Sequence, residues 1–442
     1  MAVREGSLEA PKRLPIEWES PDYYDTQKLN RELERVFDIC HGCRRCVSLC
    51  QSFPVLFDLV DNSTTLEVDG VAKADYMKVV DHCYLCDLCA ETKCPYVPPH
   101  EWAVDFPHLM LRAKAARFSA QSAPWRDRLI TSTDFTLAAG SLPGIAQTMN
   151  AALKVPFIRD QVDRFVGIHA DAPLPTFYPR SAKSRVSDSG AALKAQPTDR
   201  TSGKLAIYVT CYGNHNEPGV VEDLAVVLNH NDIPVHIVQD DKCCGMPKLE
   251  LGDLQAVRRL KEHNIPRLIE LVDRGFDLTS PIPSCVLMYK QELPLMFPND
   301  PDVARVGRAF FDPFEYLMLR GKAGLLKTDW TAGLGKIVYH AACHQRAQGM
   351  GARTRELLGM IPGSEVVFIE RCSGHDGTYA VKSETYASAM KIAAPVVERV
   401  TRASPDVYGS DCPMAGRMIE HGYDGAAEHM HPVGMLRKAY GL

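Results

Sequence analysis

The apolar residues of the chain follow two different periodicities. At residues 26–38 (TQKLNRELERVFD) they recur at helical spacing, and residues 101–118 also predict a helix. Beyond residue 203 the apolar residues form compact runs of strand type, the first of which is residues 204–211 (KLAIYVTC). We therefore expect a helical first part and a strand-containing last part.

The last part repeats one order of elements with a period of about 130 residues. The first copy has predicted strands at 204–211, 234–239 and 281–287 and predicted helices at 220–230 and within 251–274. The second copy has predicted strands at 336–343, 365–369 and 405–410 and predicted helices at 353–360 and 383–400. Because strands alternate with helices in each copy, we predict a duplicated small α/β domain.

Residues 119–203, between the two parts, mix helical stretches with loops. Residues 135–153 contain no charged side chain, but Gly140, Pro143 and Gly144 interrupt them, which makes them a poor membrane span. They predict either a helix on a membrane surface or a docking helix buried against another domain, and we favour the buried alternative. Residues 172–203 are rich in Pro, Ser, Ala and Lys and are predicted to be the main linker.

Composition and charge narrow the class of protein. The 442 residues suggest about three domains, and a net charge of -5 gives no basic footprint for nucleic acid. Residues 1–12 lack the apolar core of a secretory signal, and no apolar stretch reaches the length of about 18 residues that a spanning helix needs. Fifteen cysteines, an odd number, argue against a disulfide framework. We expect a cytoplasmic protein, with contact at the inner face of the membrane left open, whose thiols are mostly ligands.

Eight of the cysteines form two related motifs. The first is Cys40-x₂-Cys43-x₂-Cys46-x₃-Cys50, and the second is Cys83-x₂-Cys86-x₂-Cys89-x₄-Cys94. Three thiolates at this spacing wrap one face of an iron-sulfur cube, and in two-cluster ferredoxins the fourth ligand comes from the other motif. We therefore predict one 4Fe-4S cluster on Cys40, Cys43, Cys46 and Cys94, and a second on Cys83, Cys86, Cys89 and Cys50.

A pair of structural zinc sites is the alternative, because C-x₂-C is also a zinc spacing. Zinc ribbons normally use two cysteines per knuckle, whereas each motif here has three in a row and a fourth, so the iron-sulfur interpretation is favoured. Arg44 and Arg45 lie between predicted ligands. They either tune a cluster potential by charge or form a solvated patch for an acidic partner.

From about residue 31 to its end, the chain resembles the iron-sulfur subunits of the group formed by anaerobic glycerol-3-phosphate dehydrogenase, glycolate oxidase and heterodisulfide reductase. The resemblance rests on the paired motifs and on later repeats of the type Cys…Cys-Cys-Gly…Cys-x-x-Cys, the cysteine-rich CCG domain. It implies an α+β multidomain protein with an all-helical two-cluster ferredoxin domain. A long insertion between the motifs, here residues 51–82, fits this group.

The resemblance also implies metal ligands in both repeats. The first repeat has Cys211, Cys243, Cys244 and Cys285, with Met288 at the final cysteine position, and four thiols can hold a further iron-sulfur cluster. The second repeat has the possible ligands Cys343, Cys372 and Cys412, with Ser373 and Ala415 at the remaining cysteine positions. A metal there needs an oxygen, nitrogen or external ligand, which weighs against heterodisulfide cleavage at two clusters.

Other roles for these residues stay open. Cys243 and Cys244 could be a redox-active vicinal pair without metal, and the cysteines of the second repeat could be buried free thiols. His344 or His375 could complete the second site, because imidazole can replace thiolate on iron, although hydrogen bonding is the more common role of such histidines. His340 alternates with Tyr339 on a predicted strand and is interpreted as structural.

The resulting hypothesis is an iron-sulfur electron-transfer subunit. There is no P-loop and no G-x-G-x-x-G fingerprint after a strand, so FAD is expected only on a partner. The resemblance suggests a flavoprotein dehydrogenase or a rubrerythrin-like redox partner and an acceptor such as quinone. A catalytic disulfide reductase of the heterodisulfide reductase type and a non-enzymatic zinc scaffold are the alternatives.

The predicted domains are an N-terminal extension (1–30), a helical ferredoxin domain (31–118), a helical connector and linker (119–203), a first cysteine-rich α/β repeat (204–330) and a second (331–442).

Overall fold

Helices form the first part of the chain, as the apolar spacing predicts. A computed structural model describes residues 6–7, 9–189, 193–375 and 377–442. Helix α1 (Thr26–Cys43) begins where Asp25 accepts a hydrogen bond from the amide of Lys28, and it is longer than predicted because it continues through two motif cysteines. The remaining helical elements of this part are α2 (Ser52–Asp61), α3 (Tyr76–Asp81), α4 (Phe106–Gln121) and the short turns Pro21–Tyr23, Val68–Gly70, Lys73–Asp75 and Cys89–Lys93.

The N-terminal segment packs against later parts of the chain. The buried indole of Trp18 donates a hydrogen bond to the carbonyl of Met296 at 2.9 Å, and Arg13 pairs with Asp105 at 2.7 Å. Asp105 also accepts from the amide of His108, which explains why α4 begins at Phe106 and not at residue 101. The predicted extension therefore belongs to the folded body, apart from residues 1–5 and 8, which lie outside the described residues.

The connector is a series of short helices: α5 (Trp125–Ile130), α6 (Thr133–Gly140), α7 (Ile145–Ala152), α8 (Pro156–Val166) and α9 (Ala182–Arg185). Residues 135–153 are split between α6 and α7 because Pro143 and Gly144, with φ +84°, end one helix before the next begins. The preference for a buried docking helix is wrong for its largest side chains, since Phe135 is 70% and Leu142 52% exposed.

The predicted linker is fastened to the first sheet domain. Ala182 is fully buried, and the hydroxyl of Ser189 accepts a hydrogen bond from the amide of Val235 at 2.7 Å. Residues 190–192 of this linker lie outside the described residues. No described helix is both long and apolar enough to cross a bilayer.

Two four-stranded parallel sheets follow, and they have the same strand order. The first sheet has the order β2-β1-β3-β4 and the second β6-β5-β7-β8. The strands are β1 (Leu205–Ile207), β2 (Val235–Ile237), β3 (Asp277–Thr279), β4 (Phe310–Phe311), β5 (Gly335–His340), β6 (Ser364–Ile369), β7 (Val407–Ser410) and β8 (Glu428–His429). Because every pairing is parallel, the carboxyl ends of all strands in a sheet share one edge.

Helices connect the strands of both sheets. Those of the first sheet are α10 (Cys211–His215), α11 (Pro218–His230), α12 (Met246–Leu251), α13 (Leu254–Asp273), α14 (Pro283–Leu287), the wide turn Met288–Glu292, α15 (Leu293–Met296), α16 (Pro301–Ala309) and α17 (Pro313–Lys322). Those of the second are α18 (Cys343–Arg346), α19 (Arg353–Leu358), α20 (Ser383–Ala403), α21 (Pro413–Gly422) and α22 (Pro432–Tyr440).

One predicted strand is wrong. Residues 281–287 are not extended: the strand is β3, which ends at Thr279, and α14 begins at Pro283. Proline suits the first turn of a helix because its φ is already helical and the amide that it lacks would have no partner there. Cys285 therefore lies on a helix.

The first sheet lies between two hydrophobic cores. Ala206, and Tyr208 just after the end of β1, pack into a core shared with the helical first part. On the opposite face, Leu205 and Ile207 pack into a core that also contains Ile337 of the second sheet. Because successive strand residues point to opposite faces, this one strand joins all three parts of the molecule.

Candidate iron-sulfur centres

The four thiols predicted to hold the first cluster lie together. Cys40 and Cys43 occupy the last turn of α1, and Arg44, which caps the end of this helix, has a φ of +51°. Cys46 and Cys94 line the same cleft as Cys40 and Cys43. Burial, together with the neighbouring thiols of Cys94, Cys46 and Cys43, raises the pKa of Cys40. A bound cation would reverse this shift, because metal ligation stabilises the thiolate.

Cys89 of the second motif has thiol neighbours from both motifs. Burial and the neighbouring thiols of Cys46, Cys83 and Cys50 raise the pKa of Cys89. Leu85 and Asp87, which lie between the cysteines, have φ values of +56° and +60°, and such left-handed backbone at non-glycine residues is common in functional turns. Cys94 thus lies with the other three thiols of the first group, and Cys50 lies within electrostatic reach of Cys89.

The two arginines of the first motif have different surroundings. Burial and the thiols of Cys94 and Cys43 raise the pKa of Cys46 to about 12, and the charges of Lys93 and Arg45 oppose this rise. Arg44 instead pairs with Asp61 at 3.0 Å and lies over the ring of Phe57 at 5.0 Å. Of the two arginines, Arg45 is therefore the one that acts on Cys46 by charge.

A buried ionic cluster joins the helical part to the first repeat. His108 contacts Asp105 at 3.2 Å and Glu292 at 3.1 Å, and Arg13 contacts Asp87 at 3.2 Å. Burial alone would lower the pKa of His108, but the carboxylates of Asp105 and Glu292 together outweigh burial and raise that pKa to about 10. The imidazole is therefore protonated at neutral pH and holds two carboxylates from different parts of the chain.

The four thiols of the first repeat are linked through hydrogen bonds. Cys211, Cys243, Cys244 and Cys285 all follow strand ends at the carboxyl edge of the first sheet. Hydrogen bonds from Cys211 and Cys244 lower the pKa of Cys243, and Cys244 is also hydrogen-bonded to Cys285. The next residue, Gly245, has a φ of +102° that a side chain would strain. The Cys-Cys-Gly turn thus brings all four sulfurs to one place.

The connector and Met288 cover this site. The sulfur of Cys211 lies 3.3 Å from the hydroxyl of Thr133, and Asp134 accepts a hydrogen bond from the amide of Cys243 at 2.8 Å. Met288 is fully buried, and its terminal methyl lies 3.5 Å from where a Cβ on Gly245 would stand. The thioether therefore packs on the turn at the position where the resemblance places a fifth cysteine.

The cysteines of the second repeat occupy corresponding places. Cys343, Cys372 and Cys412 follow β5, β6 and β7, and Cys412 packs against Ala415, a methyl at the missing cysteine position. The amide of Gly374 donates to the sulfur of Cys372 at 3.3 Å, as that of Gly245 does to Cys243 at 3.5 Å. The two turns therefore share their local geometry.

Three histidines near these cysteines differ in their hydrogen bonds. His340 contacts the hydroxyl of Ser410 at 2.9 Å and the carbonyl of Arg371 at 2.7 Å, in agreement with a structural role. Both nitrogens of His344 are also bonded. The Nε2 of His375 is buried and has no hydrogen-bond partner among the described residues.

His344 connects all three parts of the molecule. Its Nδ1 lies 2.8 Å from the hydroxyl of Ser284, next to Cys285, and its Nε2 lies 3.1 Å from the carbonyl of Leu85, between Cys83 and Cys86. Because a carbonyl can only accept, Nε2 carries the proton and Nδ1 accepts from the serine. The sequence favoured hydrogen bonding over metal ligation for His344, but no local pattern indicates partners 60 and 259 residues away.

The composition of these groups fits iron-sulfur clusters, whose irons take thiolate ligands. Among the described residues, no three histidine, cysteine or carboxylate side chains are placed to hold one metal ion. In a four-iron cluster each thiolate binds a different iron, so the four ligands surround the cluster and do not converge on one point.

Comparison with known proteins agrees with this geometry. Residues 205–290 match the family described as the cysteine-rich domain, CCG. One of the subunits of anaerobic glycerol-3-phosphate dehydrogenase of Escherichia coli (strain K12) is 27% identical over 336 residues, covering 75% of this chain and 81% of that protein. The chain is homologous to this dehydrogenase component.

The homology extends to the lactate utilization proteins A. The A 1 protein of Bacillus mycoides (strain KBAB4) is 24% identical over 243 residues, covering 52% of this chain and 96% of the relative. The A protein of Bacillus thuringiensis (strain Al Hakam) is 26% identical over 215 residues, covering 47% of this chain and 87% of the relative. The predicted resemblance to this group of iron-sulfur proteins is confirmed, and it supports an electron-transfer component of an oxidoreductase.

Within this homology, the matched cysteine-rich domain contains the complete first thiol group and Met288. Sequence reasoning did not find the residues that cover it, Thr133 and Asp134, because they lie in the connector. It also missed His82, which contacts the hydroxyl of Tyr379 at 2.6 Å and so ties the second motif to the second repeat. A histidine next to a predicted ligand, as at His82 and His344, was the signal available.

Proposed function

We propose that the chain is an iron-sulfur electron-transfer subunit with two 4Fe-4S clusters in its helical part and a third iron-sulfur cluster in the first cysteine-rich repeat. The observation that carries the proposal is the grouping of the predicted ligands: Cys94 joins the first motif and Cys50 the second. Disulfides would join the cysteines in pairs, whereas four thiols line one cleft here.

The placement of the groups supports a path for electrons. Cys46 and Cys89 are electrostatic neighbours, so the two clusters of the helical part would lie side by side. From the second motif, the carbonyl of Leu85 is linked through His344 to Ser284 and hence to Cys285 of the first repeat. The clusters would supply one-electron transfer, and this chain's residues would hold them close together.

The domain division follows from the same features. The equal strand order of the two sheets and the matching turns at Gly245 and Gly374 support a duplicated cysteine-rich domain in residues 204–330 and 331–442. Residues 31–118 would form the ferredoxin domain. These boundaries separate thiol groups, although the hydrophobic cores run across them.

Substrate chemistry would take place on a partner. Clusters move single electrons, whereas most metabolites give up two, and a flavin commonly bridges this difference. By analogy with the glycerol-3-phosphate dehydrogenase relative, we propose a flavoprotein dehydrogenase that carries FAD, with quinone as the acceptor. A rubrerythrin-like partner remains an alternative donor or acceptor.

Burial favours electron transfer over direct disulfide reduction. Cys243, Cys244 and Cys285 are buried, and α6 lies over them through Thr133 and Asp134. A bulky disulfide would have to displace this helix to reach the sulfurs.

Anaerobic purification with spectroscopy tests the proposal. We expect brown protein with broad visible absorption, iron and acid-labile sulfide in equal amounts, and EPR signals after reduction. Co-purification from the native host should recover a flavoprotein. Colourless protein containing zinc would contradict the proposal, and rapid disulfide turnover by the isolated chain with an artificial donor would favour a disulfide reductase.

A further inference from the structure

The second repeat presents three thiols and one unpartnered imidazole nitrogen at one sheet edge. Cys372, Cys343 and Cys412 follow β6, β5 and β7, which are neighbours in the sheet. Cys412 packs against Ala342, the residue before Cys343. β5 and β6 pair as far as His340 and Ile369, so the turns that follow them, which carry Cys343 and Cys372, leave the sheet side by side, and the charge of His344 acts on His375.

Aligning the two turns shows a paired exchange. The first repeat reads Cys243-Cys244-Gly245-Met246, and the second reads Cys372-Ser373-Gly374-His375. Where the second repeat has lost the thiol of Cys244, it has gained an imidazole two residues later. Met246 is buried in the first repeat, whereas the Nε2 of His375 is buried without a hydrogen-bond partner among the described residues.

Other side chains at this edge are poorer ligands. A neutral serine hydroxyl at Ser373 holds its proton tightly and is a hard donor, whereas iron-sulfur centres favour soft sulfur or imidazole. His340 and His344 both use their two ring nitrogens in hydrogen bonds. A buried nitrogen without a hydrogen-bond partner destabilises the fold unless it binds a ligand. Of these three histidines, His375 is the one with such a nitrogen in the described structure.

We propose that the second cysteine-rich repeat holds a further iron-sulfur cluster, ligated by Cys343, Cys372, Cys412 and the Nε2 of His375. The proposal rests on the proposed function in one respect, namely that the chain carries iron-sulfur clusters. It adds a site that has three thiols and one imidazole in place of four thiols. It also explains why Ser373 and His375 stand where the first repeat has Cys244 and Met246.

Histidine ligation has an electrochemical consequence. Replacing a thiolate anion by a neutral imidazole makes the cluster less negative, so the reduced state is easier to reach and the potential rises. The cluster of the second repeat would therefore have a higher potential than that of the first repeat. Electrons arriving through the His344 junction would then favour the second repeat.

Substitutions at this one turn test the ligand assignment. In the full-length, anaerobically purified chain, His375→Ala should remove about four iron atoms and four sulfides per chain, while Ser373→Ala, the matched control, should retain them. His375→Cys should retain the iron but lower the reduction potential of one cluster, which guards against simple misfolding of the alanine variant.

Pulsed EPR on protein labelled with ¹⁵N-histidine gives a readout that does not depend on iron content. The reduced wild-type chain should show a nitrogen coupling to one cluster, and the His375→Cys variant should lose it. A wild-type chain without such coupling, or a coupling that persists in His375→Cys, would overturn the assignment. The ferredoxin signals would persist in each variant, and their absence from the wild type would instead contradict the proposed function.

Discussion

The two cysteine-rich repeats have the same strand order but meet the helical part through different chemistry. The first repeat is held by ions: His108 lies between Asp105 of the helical part and Glu292 of the repeat. The second repeat is held by neutral groups, in which His344 donates to the carbonyl of Leu85 and His82 contacts Tyr379. The same sheet can therefore support one interface held by charge and another held by neutral hydrogen bonds.

The metal sites differ in a related way. The first repeat offers four thiols in mutual hydrogen bonds, and the second offers three thiols and an imidazole. The ligand that differs between the repeats lies in the turn after β2 in the first and after β6 in the second. A change of two residues in one turn is thus expected to alter cluster charge without altering the sheet that carries it.

The largest expected effect tests the four-thiol site. Cys244→Ser gives the first repeat the serine of the second without its histidine, because Met246 stands at that position. Since a neutral hydroxyl is a weak ligand for iron, we expect a loss of about four iron atoms per chain, measured by iron and sulfide analysis. Unchanged iron content would show that this cluster is wrongly placed, and the ferredoxin EPR signals serve as the internal control.

A second substitution tests whether the two motifs of the helical part exchange their fourth ligands and whether the repeats stay unaffected. Cys94→Ser should damage the cluster of Cys40, Cys43 and Cys46, although Cys94 belongs to the other motif in sequence, because these thiols lie together. EPR of the reduced variant should show one ferredoxin signal altered and the repeat signals retained. An altered cluster on Cys83, Cys86 and Cys89 would mean that each motif closes on its own fourth cysteine.

Alkaline pH should weaken the first interface. The folded pKa of His108 is raised to about 10, above the ordinary value near 6.5, so its stabilising charge is fully present below about 6.5 and is lost as pH rises through about 10. The slope is at most about 1.4 kcal/mol per pH unit. The Tm of the wild-type protein should fall between pH 7 and pH 10, and that of His108→Gln should fall less. An equal fall in both proteins would contradict the assignment of this pH dependence to His108.

Acid should weaken the second repeat. Burial lowers the pKa of His431 and of His340 to about 4. Each is neutral in the folded state, so its contribution is fully present above the unfolded pKa of about 6.5 and is lost as pH falls towards 4. His431 begins α22 by accepting from the amide of Val433, a role that asparagine can keep without titrating. His431→Asn should therefore lose less stability than the wild type between pH 7 and 5, whereas a parallel loss would contradict this account.

The sequence predicted the cysteine motifs, the helical first part and most strands, because these depend on local spacing. It placed Cys285 on a strand because an apolar run of seven residues does not distinguish strand from helix, and Pro283 decided the matter. It favoured burial for residues 135–153, yet Phe135 is exposed, since apolar composition alone does not say which face finds a partner. The His344 junction depends on contacts between distant parts of the chain, which no local pattern encodes.

The most direct test of the account is the metal content of the full-length wild-type chain, purified without oxygen and measured together with EPR. Two ferredoxin clusters, one four-thiol cluster and one histidine-ligated cluster predict about sixteen iron atoms and as many sulfides per chain, with distinguishable signals on stepwise reduction. Zinc in place of iron, without visible absorption or EPR signals, would contradict the account of an iron-sulfur electron-transfer subunit.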